Sequence, residues 1–194
     1  MKYLLTCSLV FFMVLTSYHS SAQRLKLTDG NLSALKEEKS INTLFVYENM
    51  KVGKFDKEED YVRNKTADYN KKEPGKGDTW AKNWESDRSA RFEPKFNELL
   101  EKASGMSIKK DAKYTLIFKT QFTEPGFNIG IMRKNAEINA EAWIVETANQ
   151  NTVIAKISVQ RALGRTFGGY DFDTGERISE AYADAGKALG NYIK

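Results

Sequence analysis

Three segments in the second half of the chain alternate apolar and polar residues, and this pattern constrains the fold more than any other feature. The segments run from Tyr114 to Phe122, from Ala136 to Ile144 and from Thr152 to about Leu163. A period of two residues is the signature of a β-strand with one buried face. The sequence therefore predicts a three-strand meander, with Asn149-Gln150-Asn151 as the turn between the last two strands.

Residues at helical spacing flank this meander on both sides. Upstream, Pro94 falls inside an apolar stripe, so either one helix kinks at Pro94 or two helices abut there. The stripe comprises Trp80, Trp84, Arg88, Phe92, Phe96, Leu99, Leu100 and Ala103. Downstream, the segment from Ile178 to Ile193 has the same spacing. Its small residues, among them Gly186 and Gly190, predict that the backbone of this last helix lies close to the sheet.

A further strand is predicted from Ile41 to Val52, and its apolar side chains point to both faces. Leu44 and Val46 alternate with Phe45 and Tyr47 along this segment. Strands without a polar face are typical of sheets that are covered on both sides. The pattern therefore predicts that both faces of this strand are buried.

Residues 53–78 are dominated by charged side chains and include Pro74 and Gly75. This composition predicts a long charged excursion, with at most a helical turn near Glu58. The remaining order is strand, helix, three strands, helix. We therefore expect residues 23–194 to form a single α+β domain: a mainly antiparallel sheet of about four strands in β-α-β-β-β-α order, with helices packed on one face.

Residues 1–22 have the three parts of a secretory signal peptide. Lys2 supplies the charge, the run from Leu4 to Leu15 is largely apolar, and Ser20-Ser21-Ala22 closes the segment with small residues. The run is shorter than the roughly 20 apolar residues that span a bilayer. Cleavage after Ala22 is predicted to give an exported protein of the periplasm, the outer surface or the medium, with no transmembrane segment in the mature chain.

Removal of this leader also removes the only cysteine and the only histidine, Cys7 and His19. A chain without these residue types cannot build a Ser-His-Asp triad, a Cys-His pair or an ordinary zinc site. The formal net charge of +4 is small and dispersed along the chain, so no basic stripe for nucleic acid is predicted. We therefore expect no catalytic residues, no cofactor, no metal and no nucleic-acid partner.

Five aromatic residues are candidates for ligand binding: Trp80, Trp84, Trp143, Phe127 and Tyr170. Trp80 and Trp84 either belong to the core with the rest of their stripe or form a platform for sugars or protein partners. Trp143 shares a strand face with polar residues, so either the 53–78 excursion covers it or it marks a binding surface. Phe127 and Tyr170 lie in glycine-containing loops, which either present interaction sites or fold back over the sheet.

Two groups of carboxylates add alternatives. Glu137 and Glu141 lie on one strand face, where a pair of carboxylates could hydrolyse a glycosidic bond without histidine if the side chains lean together. Asp171, Asp173 and Glu176 lie close together around a glycine, which suits either a calcium ligand set or a cap on the last helix.

Several short stretches carry a resemblance to known proteins. They are Ser33-Ala34-Leu35-Lys36 leading into Ile41-Asn42, then Tyr47, Gly126-Phe127-Asn128-Ile129-Gly130, and Arg177-Ile178-Ser179-Glu180-Ala181-Tyr182. These stretches resemble an uncharacterised family of secreted proteins of Gram-negative bacteria, which implies export and this fold and carries no activity. The order of elements is also similar to the amino-terminal domain of TolB and to the core of the curli-secretion lipoprotein, both envelope domains.

The sequence favours an exported, non-catalytic binding domain of the bacterial cell envelope that binds a protein or another envelope component. The alternative is a glycan-binding module or a carboxylate-dependent glycan hydrolase. It would use Trp80, Trp84 or Trp143 as the platform and Glu137 or Glu141 as the acid. A purely structural envelope protein that assembles into a stable oligomer is a third hypothesis. The sequence determines neither the partner nor the oligomeric state.

Overall fold

The computed structural model describes residues 24–128, 132–165 and 173–194. The predicted leader and Tyr170 therefore lie outside the described residues. The strands are β1 (Arg24–Gly30), β2 (Ser40–Val46), β3 (Lys51–Val52), β4 (Ser107–Ile108), β5 (Tyr114–Glu124), β6 (Phe127–Asn128), β7 (Arg133–Lys134), β8 (Ala136–Glu146) and β9 (Val153–Gly164). The helices are α1 (Glu58–Lys72), α2 (Lys76–Asp87), α3 (Glu93–Ser104) and α4 (Thr174–Ile193), with a 3-10 turn at Ser33–Leu35 and a π-helical turn at Arg88–Phe92.

The main sheet has the strand order β1-β9-β8-β5-β2-β4, and the short β3 also pairs with β5. The predicted meander is confirmed: β5, β8 and β9 are antiparallel neighbours. In contrast, β2 runs parallel to β5. The predicted α+β fold class is therefore confirmed. The prediction of about four mainly antiparallel strands is wrong, because the sheet is mixed and seven-stranded.

Two strands account for most of this difference. The chain leaves β2 and returns through α1, α2 and α3 before it enters β5, and a connection of this length permits parallel pairing. At the other edge, β1 pairs with β9. Leu25 and Leu27 of β1 pack against the core, whereas Arg24 and Lys26 are exposed. Charged side chains are usual on an edge strand and weaken its apolar pattern.

The core lies between one face of the sheet and the helices. Helix α4 contacts β8 and β9, and α3 packs along α4. The rings of Phe96 and Phe118 have centroids 4.7 Å apart, and those of Phe118 and Tyr182 are 5.8 Å apart. A Cβ built on Gly186 would lie 2.3 Å from the carbonyl oxygen of Phe96. At Gly186 the close approach of α4 is therefore made with α3. The predicted approach of α4 to the sheet occurs at Gly164 of β9, where a Cβ would lie 1.9 Å from the carbonyl oxygen of Arg177.

The 53–78 segment is largely helical rather than a charged excursion with one helical turn. Helix α1 spans 15 residues, of which Tyr61 is the buried one, so its apolar stripe is too sparse to reveal it. Acidic residues open α1 and Lys71 and Lys72 close it, an order that favours the helix dipole. Gly77 lets α2 pack against α1, since a Cβ built there would lie 2.1 Å from the carbonyl oxygen of Thr66.

The apolar stripe that contains Pro94 lies on a helical segment that runs without a break from α2 through the π-helical turn at Arg88–Phe92 into α3. Asp87, Phe92 and Glu93 all keep right-handed helical dihedral angles. Pro94 lies in the first turn of α3, directly after the π-helical turn. Neither alternative for Pro94 is met as stated, because no second helix starts at Pro94 and the irregularity is a π-helical turn.

Candidate functional site

The three tryptophans lie on opposite sides of the sheet. Trp84 is buried in the main core and Trp80 packs against that core. Trp143 alternates along β8 with Ala142 and Ile144, which belong to the same core, so its ring projects from the other face. The structure therefore does not bring Trp143 together with the other two tryptophans.

The side chain of Trp84 is held within the core by hydrogen bonding and ring packing. Its indole Nε1–H donates to Oε1 of Glu58 over 2.6 Å, and Nη2 of Arg88 donates to the same oxygen over 2.5 Å. The ring of Tyr61 has its centroid 5.0 Å from that of Trp84. Because its ring is buried and its N–H is satisfied, Trp84 belongs to the core rather than to a platform.

Trp80 is half-buried and lines an open surface depression of about 590 Å³. The depression is bounded by Glu73, Pro74, Gly75, Lys76, Thr79, Trp80 and Asn83. The rings of Tyr61, Tyr69 and Trp84 support Trp80 from the protein side, with centroids 5.6 to 5.8 Å away. Within the described residues no hydrogen bond is made by the Trp80 N–H, and Trp80 is the aromatic residue among those that line this depression.

The face of the sheet on which Trp143 lies is not covered by a helix of the described residues, since the helices pack on the opposite face. We call it the uncovered face. Its apolar side chains are Leu44 and Val46 of β2, Ile117 of β5, Trp143 and Val145 of β8 and Val153 of β9, and its polar side chains are Asn42 of β2, Thr115 and Lys119 of β5, Glu141 of β8, and Lys156 and Ser158 of β9. One row crosses it from strand to strand: Leu44, Ile117, Trp143 and Lys156 are successive register partners.

Two ammonium groups rest against the ring of Trp143. The Nζ of Lys119 lies 3.2 Å from the ring centroid and the Nζ of Lys156 lies 4.5 Å from it. The indole Nε1–H donates to Oε2 of Glu141 over 3.0 Å. Lys156 also lies 3.7 Å from Asp29, whereas Lys119 makes no ion pair within the residues that the structure describes. Trp143 is thus partly covered by the side chains of Lys119 and Lys156.

The position of Trp143 decides whether the 53–78 segment covers it. Helix α1, which forms most of the 53–78 segment, packs with α2 and β3 on the core side and leaves Trp143 uncovered. Glu137 lies 3.7 Å from Arg161, and Glu141 is bound to the Trp143 indole. These two carboxylates are therefore engaged by different partners.

Phe127 lies on a small hairpin of β6 and β7 that is separate from the main sheet. Its side chain is 40% exposed, and Met132 on the same hairpin is 55% exposed. The hairpin is tied to the sheet by an ion pair of 2.6 Å between Lys134 and Glu124. Phe127 therefore projects from the surface instead of folding back over the sheet.

Arg177, which the sequence analysis did not single out, joins the bases of the two glycine-containing loops. Its side chain is buried, and it donates through Nη2 to the carbonyl oxygen of Gly126 over 3.3 Å and through Nη1 to that of Asp173 over 3.3 Å. It also donates through Nε to the carbonyl oxygen of Pro125 over 2.9 Å. The only available sequence signal was a charged residue within the apolar stripe of α4.

Asp173 caps α4, which confirms one of the alternatives for its carboxylate cluster. Its Oδ1 accepts from the backbone N–H of Glu176 over 3.2 Å, and its Oδ2 lies 2.5 Å from Nη1 of Arg91. Burial opposes ionisation of Asp173, but Arg91 and these N–H groups outweigh it and lower its pKa. Burial raises the pKa of Asp87 despite the nearby Arg91. In the described part of the chain no three acidic, histidine or cysteine side chains are arranged to hold a metal.

A polar cluster at the end of β2 was also missed. Tyr47 Oη donates to Oε1 of Glu93 over 3.2 Å, and the guanidinium carbon of Arg88 lies 4.4 Å from the Tyr47 ring centroid. Burial raises the pKa of Tyr47 above its usual range, and Tyr182 and Glu93 raise it further. A cavity of about 380 Å³ adjoins this cluster, lined by Tyr47, Glu48, Asn49, Met50, Asp56, Lys57, Glu58 and Glu59. The residues of this polar cluster come from distant segments of the chain, so no local sequence pattern predicts the cluster.

Comparison with known proteins yields little. No protein-family model matches the chain, and no curated protein matches it. Among solved structures it is similar to the PelC dodecamer from Paraburkholderia phytofirmans, with 10% identity, a TM-score of 0.38, and coverage of 84% of this chain and 97% of that one. A single-residue variant of that dodecamer gives 10% identity, the same coverage and a TM-score of 0.37. Similarity at this level establishes neither fold nor function for this chain.

A bilayer-spanning helix is not present among the described residues, since none of their helices combines sufficient length with sufficient apolarity.

Proposed function

We propose that this chain is an exported, non-catalytic binding domain of the bacterial cell envelope, and that the uncovered face is its binding surface. The leader-like residues 1–22 support export. The lack of histidine and cysteine beyond residue 22 supports binding over the common forms of catalysis. The partner is a protein or another envelope component.

The observation that carries this proposal is the apolar row on a sheet face without a covering layer. A sheet that is open to water on one side normally presents polar residues there. Here β2 presents Leu44, which is 41% exposed, and Val46 beside it. The sequence pattern of β2 predicts burial on both faces, and the described residues leave Leu44 exposed on the second face. A partner that covers the second face would satisfy this pattern.

The test is a comparative pull-down from a Gram-negative cell-envelope extract with three proteins: the wild type, Leu44→Lys and Met132→Lys. Met132 is the matched control, because it is also an exposed apolar residue but lies on the β6–β7 hairpin. We expect a component that the wild type and Met132→Lys retain and Leu44→Lys loses. This component should be identified by mass spectrometry and should bind again when purified. Recovery of the same set by all three proteins would reject the uncovered face as the binding surface.

Glycan binding is a second candidate function, and the depression at Trp80 favours it. Indole rings stack on sugar faces, and Thr79, Asn83 and Lys76 place polar groups around the ring. The test is intrinsic tryptophan fluorescence against oligosaccharides and peptidoglycan fragments. A saturable change that Trp80→Phe removes and Trp143→Phe retains would support glycan binding at this depression. The absence of a response to every glycan would reject it.

A further inference from the structure

The dimensions of the uncovered face suit one α-helix. The row from Leu44 through Ile117 to Trp143 crosses three neighbouring strands, a width of about 10 Å at the usual strand spacing. An α-helix with its side chains has a diameter of about 10–12 Å. Helices are also the elements that complete a sheet whose strands are apolar on both faces.

The floor of this face is already packed. Ile117 is 7% exposed and Val145 is 0% exposed, although neither belongs to the core on the helical side of the sheet. Leu44 and Val153 project beyond this floor as exposed side chains. A buried floor with projecting apolar side chains is a preformed surface, so a partner would bind without reorganisation of the strands.

The charges around Trp143 indicate the chemistry of the partner. Lys119, Lys156 and Trp143 are half-buried, and an ammonium group over an aromatic ring is held by about 0.5–1 kcal/mol at an exposed site and by about 2 kcal/mol when desolvated. A carboxylate offers Lys119 a charge-assisted hydrogen bond. Lys119 has no competing ion pair among the described residues, and the ion pair of Lys156 with Asp29 is long at 3.7 Å. The carboxylate of Glu141, on the same face, already accepts from the Trp143 indole. A partner with acidic side chains therefore gains contacts with Lys119 and Lys156 that a basic partner lacks.

We propose that the uncovered face binds an amphipathic α-helix of a partner protein, whose apolar stripe packs on Leu44, Ile117 and Trp143 and whose acidic side chains pair with Lys119 and Lys156. This inference rests on the proposed function and names the class of partner. On binding, the carboxylates draw the ammonium groups away from the indole, and the apolar stripe takes their place over the ring.

The test uses two synthetic helical peptides of about 20 residues, or about 30 Å, that contain no tryptophan. Both carry the same leucine stripe at positions i, i+3, i+4 and i+7, and the stripe is flanked by glutamate in one peptide and by lysine in the other. Binding to the full chain is measured by tryptophan fluorescence and by calorimetry, below the concentration at which the peptides self-associate. We expect the glutamate peptide to bind at least about tenfold more tightly than the lysine peptide.

Three variants make the result specific to the uncovered face. Lys119→Glu should reverse the preference between the two peptides. Leu44→Lys should weaken the glutamate peptide by about tenfold or more through loss of apolar contact. Met132→Lys should leave both affinities unchanged, because Met132 lies on the hairpin outside this face.

Several outcomes would overturn the inference. One is the absence of saturable binding by the glutamate peptide, and another is equal binding of both peptides that Lys119→Glu does not alter. Self-association of the wild type that Leu44→Lys abolishes would assign the face to a second copy of this chain. Fluorescence changes with polygalacturonate but not with the peptides would assign it to an acidic glycan. If the envelope pull-down depends on Leu44 while the peptides fail to bind, the proposed function stands and the helical partner is rejected.

Discussion

A hydrogen bond to Glu58 distinguishes Trp84 from the neighbouring Trp80. Its Oε1 accepts hydrogen bonds from Trp84 and from Arg88, and all three side chains are mostly buried. Trp80, one helical turn earlier, has no such acceptor within the described residues. The two residues occupy the same apolar stripe in the sequence, so periodicity alone cannot distinguish a structural indole from one that is available to a ligand.

Replacement of each tryptophan by phenylalanine tests this difference. Trp84→Phe should lower the free energy of unfolding by about 1–3 kcal/mol, because it removes a buried hydrogen bond to Glu58 and leaves a small void. Trp80→Phe should lower it by about 1 kcal/mol or less, since no hydrogen bond is lost there. Urea unfolding of the two variants and the wild type measures both values. Equal losses would show that the Glu58 contact does not distinguish the two rings.

Asp173 acts on α4 through both its cap and its charge, and Asp173→Asn separates the two because asparagine also caps helices well. The pKa of Asp173 is lowered in the folded chain, mainly by Arg91 acting against burial. A lowered pKa stabilises the folded chain above the ordinary carboxyl range, and this contribution is lost as the pH falls through the folded pKa. The pair with Arg91 is about half exposed, so a gain of about 1 kcal/mol or less is expected at neutral pH.

The corresponding measurement is urea unfolding of the wild type and Asp173→Asn between pH 7 and about pH 3. The wild type should be slightly more stable at neutral pH, and the difference should shrink as the pH falls. Burial raises the pKa of Asp87 and the charge of Asp173 raises it further, so Asp87 titrates in both proteins and the substitution removes the contribution of Asp173 to its pKa. A difference that grows as the pH falls would contradict this account of Asp173.

At the scale of elements, the contact between α3 and α4 depends on glycines. Gly186→Ala would place a methyl group against the backbone carbonyl of Phe96, which cannot rotate away. We expect a loss of about 1–3 kcal/mol from overpacking, even though alanine favours a helix over glycine by about 1 kcal/mol. Lys187→Ala, at the exposed neighbouring position, is the control and should have little effect. Thermal or urea unfolding measures both, and an unchanged or increased stability of Gly186→Ala would contradict the close packing of these helices.

The elements also show how far the sequence alone could predict the fold. Alternation identified β5, β8 and β9, because core-facing apolar residues alternate with polar residues such as Lys119, Glu141 and Ser158 over much of each strand. The same reasoning missed α1, in which one buried side chain and many charges leave almost no periodic signal. It could not place β2 beside β5, because pairing depends on the path of the chain and not on local pattern.

The sequence also could not show which candidate residues lie together, for a related reason. Each tryptophan was identified as a candidate from its own segment, but the sheet separates Trp143 from Trp80 and Trp84. The lysines on Trp143 come from β5 and β9, so they become its neighbours only through strand register. Arg177 and the cluster around Tyr47 likewise join distant segments. Residue type therefore predicted candidate binding residues, and the fold determines which side chains lie next to them.

At the scale of the whole molecule, the chain is a two-layer structure whose sheet has a second apolar surface. Helices α3 and α4 complete the first side, and the aliphatic residues of β2, β5 and β8 continue onto the other. The projecting side chains Leu44 and Val153 contribute little to the stability of the isolated chain, since they remain in water, whereas Ile117 and Val145 are buried. The proposed binding function accounts for the two exposed side chains.

Two leucines on adjacent strands provide a direct measurement of this asymmetry. Leu116 of β5 is 0% exposed and faces the helices, whereas Leu44 of β2 is 41% exposed on the uncovered face. Leu116→Ala should lower the free energy of unfolding by about 2–5 kcal/mol, and Leu44→Ala by about 0.5 kcal/mol or less. Urea unfolding at several protein concentrations measures both. Comparable losses, with a midpoint that rises with protein concentration, would mean that self-association already buries Leu44. A small, concentration-independent loss for Leu44→Ala would mean that the face is open in the free chain and available to a partner.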